Sequence, residues 1–133
     1  MSTPEIPESH RDLLMASPIV TLATVGHDGF PQVSAIWFLV EEDGAIATSL
    51  NTSRQKVKNL QRTPEASLLF IDPTNPYRTL EIRARAIIEP DPDYAFAERV
   101  GAKYGGANFR ELDGPDGRRV VVRFPPVRVN TFG

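Results

Sequence analysis

A basic stretch near the middle of the chain holds the residues best suited to chemistry. No acidic residue occurs from 44 to 64, and the stretch contains the cations Arg54, Lys56, Lys58 and Arg62. Asn51-Thr52-Ser53 precede them and are residue types that cap helices, so the sequence predicts a helix over 54–62. Because a helix N-terminus carries partial positive charge and free N–H groups, cations in its first turn are unfavourable. We therefore infer that an anion binds at this helix start.

A phosphate group is the anion that fits such a site. Hydroxyl groups at Thr48, Ser49, Thr52 and Ser53 would add donors to the backbone N–H groups and the cations. The alternative is a basic helix face that only contacts water, which is the usual meaning of a charge cluster.

Several other kinds of chemistry are excluded by composition. The chain has no cysteine and only two histidines, His10 and His27, so we expect no thiolate site, no cysteine nucleophile and no metal centre. No serine–histidine–acid arrangement and no glycine-rich nucleotide motif can be assembled. The adjacent carboxylates at 41–43 lie in a predicted hairpin turn, where they favour solubility.

Three further segments are weaker candidates. Trp37 and Phe38 lie in a predicted strand and are also typical of a plain core. Arg83 and Arg85 fall on the polar face of an alternating strand, where they could hold an anion or face water. The run 77–79 follows a loop stiffened by Pro73 and Pro76, and loops on rigid scaffolds often carry function.

The elements that must position these residues are mostly short strands. Apolar runs separated by turn residues predict strands at 19–25, 32–40, 45–50, 66–71, 80–88, 119–124 and 127–130. Helices are predicted at 8–17, at 54–62 and from the capping residues Asp91-Pro92-Asp93 to Tyr104. Four glycines and no apolar periodicity in 105–117 indicate a mobile loop. The pattern predicts one α+β domain over 1–133, a small antiparallel β-barrel with short helices in the connections.

Charge and hydropathy narrow the function classes. The net charge of −2 over 133 residues argues against a nucleic-acid-binding barrel, the non-enzymatic alternative that a small β-barrel first suggests. No apolar run approaches the roughly 20 residues of a membrane span. The acidic, proline-broken start does not resemble a secretory signal, so we expect a cytoplasmic protein with no membrane partner.

Four segments together resemble a known superfamily. They are SPIVTLATVGHDGFPQVSAIWF, ATSLNTSRQKVKNLQRTPEASLLF, NPYRTLEIRARA and PPVRVNTF, and they span most of the chain from Ser17 to Phe132. This order of motifs resembles the pyridoxamine-phosphate-oxidase-like, FMN-binding split-barrel superfamily, and most closely its deazaflavin (coenzyme F420)-dependent branch. The resemblance implies a split β-barrel homodimer with two cofactor sites in grooves at the subunit interface. The pyridoxal-phosphate-binding and carboxy-terminal arginine motifs of the oxidase itself are not recognisable here.

The resemblance also implies cofactor-binding residues. The strand beside the flavin-type ring corresponds to Val33, Ser34, Ala35, Ile36, Trp37 and Phe38. The phosphate would be held by the hydroxyl pair Thr48 and Ser49 and by the basic helix start, Arg54, Gln55 and Lys56. Tyr77, Arg78 and Thr79 match the position that closes over the ring or its side chain.

The implied activity is transfer of a hydride from reduced coenzyme F420 to an unsaturated small-molecule acceptor. The protein would then bind and orient the cofactor, which carries the hydride chemistry. Two alternatives keep the same fold and anion site. One is an FMN-dependent reductase or oxidase, and the other is a non-enzymatic protein that binds a flavin, F420 or haem.

Overall fold

Nine β-strands form two antiparallel sheets over residues 4–133, the part of the chain that this computed structural model describes. The strands are β1 (Val20–Val25), β2 (Pro31–Ile36), β3 (Leu39–Val40), β4 (Ile46–Asn51), β5 (Glu65–Asp72), β6 (Asn75–Arg85), β7 (Ile87–Pro90), β8 (Arg119–Phe124) and β9 (Pro126–Phe132). The larger sheet has the order β2-β1-β5-β6-β9, and the smaller has the order β3-β4-β8-β7. The predicted α+β class with antiparallel strands is confirmed.

The helices are short and lie in the connections. A 3-10 turn over Glu8–His10 and α1 (Leu13–Ala16) replace the single opening helix predicted for 8–17. The others are α2 (Gln55–Arg62), α3 (Ala95–Lys103) and α4 (Phe109–Asp113). Asp91 caps α3 as predicted, because its carboxylate accepts the N–H groups of Phe96 and Ala97 at 3.2 and 3.0 Å. No helix of this described region is both long and apolar enough to cross a membrane.

The core lies where the inward faces of the strands meet. Strict alternation puts every second residue of β1, β5 and β6 inside, and aromatic side chains fill the centre. Phe38 and Phe70 pack edge to face with ring centroids 5.2 Å apart, and both are fully buried. Leu80 and Ile82 are buried as the alternation predicts.

The chain changes sheet at Trp37–Phe38, so the single strand predicted over 32–40 is wrong. At this point side chains, and not a neighbouring strand, form the hydrogen bonds with the backbone. The Thr48 hydroxyl donates to the Trp37 carbonyl at 2.6 Å, and the Phe38 N–H donates to the Tyr104 hydroxyl at 3.2 Å. The Lys103 ammonium donates to the Phe38 carbonyl at 2.8 Å. These bonds satisfy the backbone where β2 ends and β3 begins.

Two other boundaries differ from the prediction for 80–88. β6 begins earlier, at Asn75, because Asp72 accepts bonds from the backbone and hydroxyl of Thr74 and closes a tight hairpin. Residues 77–79 therefore lie in a strand and not in a loop. The strand also stops at Arg85, and the chain crosses to the smaller sheet at Ala86, whose N–H donates to the Pro64 carbonyl at 2.8 Å.

The segment 105–117 is not the unstructured loop predicted from its glycines. It contains α4, whose N-cap Asn108 accepts the N–H of Glu111 at 3.2 Å. A five-residue helix is too short to show an apolar period, which explains the wrong prediction.

A buried amide fixes α2 against the larger sheet. The Asn59 side chain donates to the Thr24 hydroxyl and to the Gln32 carbonyl oxygen, both at 3.1 Å, and accepts from Gln55 at 2.9 Å. Asn59 and Thr24 are each 1% exposed. The position of the basic helix start therefore depends on a fully bonded polar cluster.

We expect Asn59→Ala to lower the free energy of unfolding by about 2–3 kcal/mol, because it leaves buried polar partners unbonded. Urea denaturation measures the change. Lys58→Ala is the matched control, since Lys58 is exposed on the same helix and should change stability by less than about 0.5 kcal/mol. Equal stability of the Asn59 variant and the wild type would contradict this role.

Candidate functional site

A cleft between the two sheets and α4 brings together half of the residues predicted for the cofactor. The cavity has a volume of about 230 Å³. The predicted residues that line it are Ala35, Ile36, Trp37, Thr48, Ser49, Arg54 and Lys56. Leu50, Asn51, Val100, Phe109 and Arg119 complete the lining. Within residues 4–133 no three His, Asp or Glu side chains are grouped so that they could hold a metal ion.

The basic end of the cleft is the start of α2. Arg54 occupies the N-cap position, and no side chain caps this helix. The predicted capping by Asn51-Thr52-Ser53 is wrong, because the Asn51 side chain accepts the N–H of Ser53 instead, at 2.9 Å. The first N–H groups of α2 therefore remain available at the cavity, as the anion hypothesis requires.

Arg54 and Lys56 face this end without an acidic partner. Neither takes part in an ion pair within the described region. Burial lowers the pKa of Lys56 below its ordinary value, and the positive charge of Arg54 lowers it further. A bound anion would stabilise the charged forms of both side chains and offset this lowering, so the local electrostatics favour a negatively charged ligand.

The two adjacent hydroxyl residues of β4 differ in what they can donate. Thr48 is 1% exposed, and its hydroxyl donates its hydrogen to the Trp37 carbonyl. Ser49 is 7% exposed, and its hydroxyl oxygen accepts a long bond of 3.4 Å from the Arg119 guanidinium. Its hydroxyl hydrogen therefore remains able to donate to a ligand. Ser49 is therefore the stronger candidate for a phosphate contact, while Thr48 holds the crossing between sheets.

An aromatic wall of Trp37, Phe109 and Tyr104 adjoins the basic end, and its first two members line the cavity. The Trp37 ring stacks on Tyr104 with centroids 4.6 Å apart and an interplanar angle of 3°, and Phe109 meets it edge-on at 5.8 Å. Trp37 is 37% exposed and lines the cavity, so part of its ring is accessible to a ligand. A flat aromatic ligand would find a suitable surface there.

Arg119 connects α4 to the floor of the cleft, which is the part of the cavity formed by Ser49 of β4. Its guanidinium makes two bonds to Asp113, at 2.7 and 3.1 Å, and lies 4.0 Å from the Phe109 ring centroid. The Tyr94 hydroxyl also donates to Asp113, at 2.7 Å. The Arg119 guanidinium holds the pKa of Asp113 at about 2, and the bond from Tyr94 acts in the same direction. Burial and the adjacent Asp113 raise the pKa of Tyr94.

Phe109, Asp113 and Arg119 were missed from the sequence. A local signal was present, because Asn108 followed by Glu111 three residues later is typical of a helix start. That signal would have placed Phe109 at the first turn of a helix, though not against Trp37.

The remaining predicted residues lie outside the cavity in the single chain. Val33 and Ser34 lie elsewhere on β2, Phe38 is in the core, and Gln55 bonds Asn59. Tyr77, Arg78 and Thr79 lie on β6, where Tyr77 is 76% exposed.

Arg78 already has protein partners. Its guanidinium pairs with Asp12 and Asp72, at 2.5 and 3.0 Å, and donates to the Ser9 carbonyl. In the single chain it ties the amino-terminal helices to the β5–β6 hairpin. Its contact with a cofactor stays a prediction.

A family model described as pyridoxamine 5'-phosphate oxidase matches residues 6–133. No curated protein sequence matches the chain. A solved structure named F420 reductase is 34% identical, covering 94% of this chain and 98% of its own, with a TM-score of 0.81.

Two other solved structures share the fold. A conserved hypothetical protein from Mycobacterium tuberculosis is 26% identical, covering 99% of this chain and 88% of its own, with a TM-score of 0.77. A Clostridium acetobutylicum protein, related to general stress protein 26 and placed in the pyridoxinephosphate oxidase family, is 24% identical. That match covers 96% of this chain and 90% of the other, with a TM-score of 0.71. These similarities confirm the split-barrel architecture.

The pair of Asp113 and Arg119 predicts a specific dependence of stability on pH. Because the pKa of Asp113 is depressed from 3.8 to about 2, its stabilising contribution is present above pH 4 and is lost as the pH falls towards 2. We expect Asp113→Asn to be about 3 kcal/mol less stable than the wild type at pH 7, because it leaves Arg119 without its charge partner. The two stabilities should converge on acidification.

Urea denaturation between pH 2 and 7 measures both curves. Asp116→Asn is the control, because Asp116 is an exposed carboxylate in the same connection and should leave stability at pH 7 unchanged. A constant difference between wild type and Asp113→Asn across this range would contradict the role of the ion pair.

Proposed function

The chain belongs to the pyridoxamine 5'-phosphate oxidase family, and from this we propose that it is an oxidoreductase using reduced coenzyme F420. Its substrate would be an unsaturated small-molecule acceptor that receives a hydride. The observation that carries the proposal is the pair Arg54 and Lys56, which faces an uncapped helix start without an acidic partner among the described residues.

The residues present fit a phosphate-bearing cofactor. Free N–H groups at the start of α2, two cations and the Ser49 hydroxyl form a set of donors typical of phosphate sites. The aromatic wall adjoins this set in one cavity, as a cofactor with both a phosphate and a flat ring requires.

The choice of F420 over FMN is supported by the solved F420 reductase, which is 34% identical and aligned over nearly both chains. FMN is the second candidate, because the matching family model describes pyridoxamine 5'-phosphate oxidase and the resemblance is to FMN-binding proteins. Both cofactors carry a phosphate and a fused ring, so the anion site alone does not distinguish them.

When bound, reduced F420 would supply the hydride. The chain's own residues would bind and orient it. Arg54, Lys56 and the α2 start would hold the phosphate, while the backbone of 35–37 and the Trp37 ring would contact the ring and exclude water from one side. Holding both ends of the cofactor fixes the ring relative to an acceptor, which is how positioning lowers a barrier.

We also propose a homodimer. The outer face of the larger sheet is uncovered and carries exposed apolar side chains, among them Val33, Ile71 and Phe132 at 63%, 44% and 68% exposure. A cavity of about 500 Å³ lies on this face, next to Ala23, Val25 and Val127. An apolar patch of this kind is typical of an interface. The roles predicted for Tyr77, Arg78 and Thr79 depend on such a partner, and a monomeric mass by light scattering would contradict the dimer.

Titration of the purified protein with F420 and with FMN tests the cofactor. Trp37 is the only tryptophan of the chain and lines the cavity, so its fluorescence should be quenched on binding. We expect a micromolar or tighter Kd for F420 and at least about tenfold weaker binding of FMN. Preference for FMN would overturn F420 but keep the family, and no response to either would contradict the site.

Lys56→Ala tests the anchor within the same titration. Loss of a charge-assisted bond of about 1.5–3 kcal/mol corresponds to roughly 10- to 150-fold weaker F420 binding. Lys58→Ala is the matched control, two residues further along α2 and outside the cavity, and it should leave Kd unchanged. An unchanged Kd in Lys56→Ala would defeat the assignment.

A further inference from the structure

Arg119 lies between the aromatic wall and the floor of the cleft. All three nitrogens of its guanidinium donate hydrogen bonds to protein atoms. The Nε and Nη2 atoms donate to the two oxygens of Asp113, at 2.7 and 3.1 Å. Nη1 donates to the Ser49 carbonyl at 3.3 Å and to the Ser49 hydroxyl at 3.4 Å. The guanidinium therefore makes four hydrogen bonds to protein atoms.

The charge of Arg119 is also balanced within the protein. Its side chain is 11% exposed and that of Asp113 is 6% exposed, so the pair is shielded from water. Tyr94 adds a third bond to Asp113 and keeps that carboxylate in place. Arg119 thus differs from Arg54 and Lys56, which line the same cavity without an acidic partner in the described region.

The bond from Arg119 restricts the directions in which the Ser49 hydroxyl can donate. A hydroxyl oxygen that accepts from a guanidinium must direct its own hydrogen elsewhere. Ser49 is 7% exposed and lines the cavity, and its hydrogen has no acceptor among the described residues. Thr48 shows the opposite case, since its hydrogen is bonded to the Trp37 carbonyl.

The same guanidinium also packs on the aromatic wall. It lies 4.0 Å from the Phe109 ring centroid, and Phe109 meets Trp37 edge-on. A planar cation over an aromatic face is held by the ring quadrupole as well as by contact area. The Arg119 side chain therefore contacts both Phe109 of the aromatic wall and the Ser49 hydroxyl on the floor of the cleft.

We propose that Arg119, held by Asp113, is a positioning residue that turns the Ser49 hydroxyl hydrogen towards a bound phosphate group and fixes Phe109 against Trp37. This inference rests on the proposed phosphate site. Arg119 itself does not carry the ligand charge, which belongs to Arg54 and Lys56.

A double-mutant cycle on the full chain, with inorganic phosphate as the probe, tests the link between Arg119 and Ser49. We expect Ser49→Ala to weaken phosphate binding about tenfold and Arg119→Lys about fivefold. The double variant should be no weaker than Ser49→Ala alone, because Arg119 acts through that hydroxyl. Isothermal calorimetry gives the four dissociation constants.

Additive effects in the cycle, about fiftyfold for the double variant, would mean that Arg119 binds phosphate directly and would overturn the proposal. An unchanged affinity of Arg119→Lys would overturn it as well. If the wild type binds no phosphate, both this inference and the proposed anchor fail. If the coupled cycle is found but F420 does not bind, only the proposed cofactor fails.

Arg123→Lys is the matched control on the same strand. Arg123 pairs with Glu41 and Glu89 and lies outside the cavity, so its variant should keep the phosphate affinity and the Trp37 emission of the wild type. Arg119→Lys should shift Trp37 emission to longer wavelength without any ligand, because Phe109 loses its support. An equal loss of affinity in both variants would indicate general loosening of β8 and contradict the proposal.

Tyr94→Phe keeps the test decisive if Arg119→Lys does not fold. It removes one donor to Asp113 without changing charge. We expect two- to threefold weaker phosphate binding, an effect that disappears when Ser49 is already alanine. Persistence of the effect in the Ser49→Ala background would contradict a path through that hydroxyl.

Discussion

The bond from the Thr48 hydroxyl to the Trp37 carbonyl is the interaction on which the site depends. At that point the chain leaves one sheet and enters another, and buried backbone groups must find partners outside a strand ladder. Side chains from β4 and from the end of α3 supply those partners. As a consequence, Trp37 is held at the surface of the cleft while Phe38, its neighbour, fills the core.

Much of the fold follows from local patterns in the sequence. Period-two alternation predicts the buried residues of β1, β5 and β6, and turn residues predict most of the hairpins. The two crossings between sheets, at 37–38 and at 86, cannot be predicted from local patterns. The groups that bond the backbone at these crossings are distant along the chain. Tyr104 is 66 residues from Phe38, and the Pro64 carbonyl is 22 residues before Ala86. A pattern read in one window contains no information about such partners, so two long strands were predicted where the chain forms four.

The candidate site divides in the same way. Its basic end was predictable, because Arg54 and Lys56 conflict with a helix start unless an anion is present. The aromatic and ion-paired end of the site was not predictable. Phe109 lies on a helix of one turn, which has no apolar period, and Asp113 and Arg119 are brought together only by the fold of the segment between them. The physical difference lies in the type of signal. A charge that opposes a helix dipole is visible in sequence, whereas a charge balanced by a distant partner resembles any surface arginine.

The spacing of the Arg119 contacts also has a consequence for folding. Asp113 and Arg119 are six residues apart, whereas Arg119 and Ser49 are seventy apart. Closing the shorter loop costs less chain entropy, so the connection carrying Phe109 can form around its ion pair before β8 finds β4. Phe109 would then dock against Trp37 as part of this connection, and the bond from Arg119 to the Ser49 hydroxyl would form only when β8 pairs with β4.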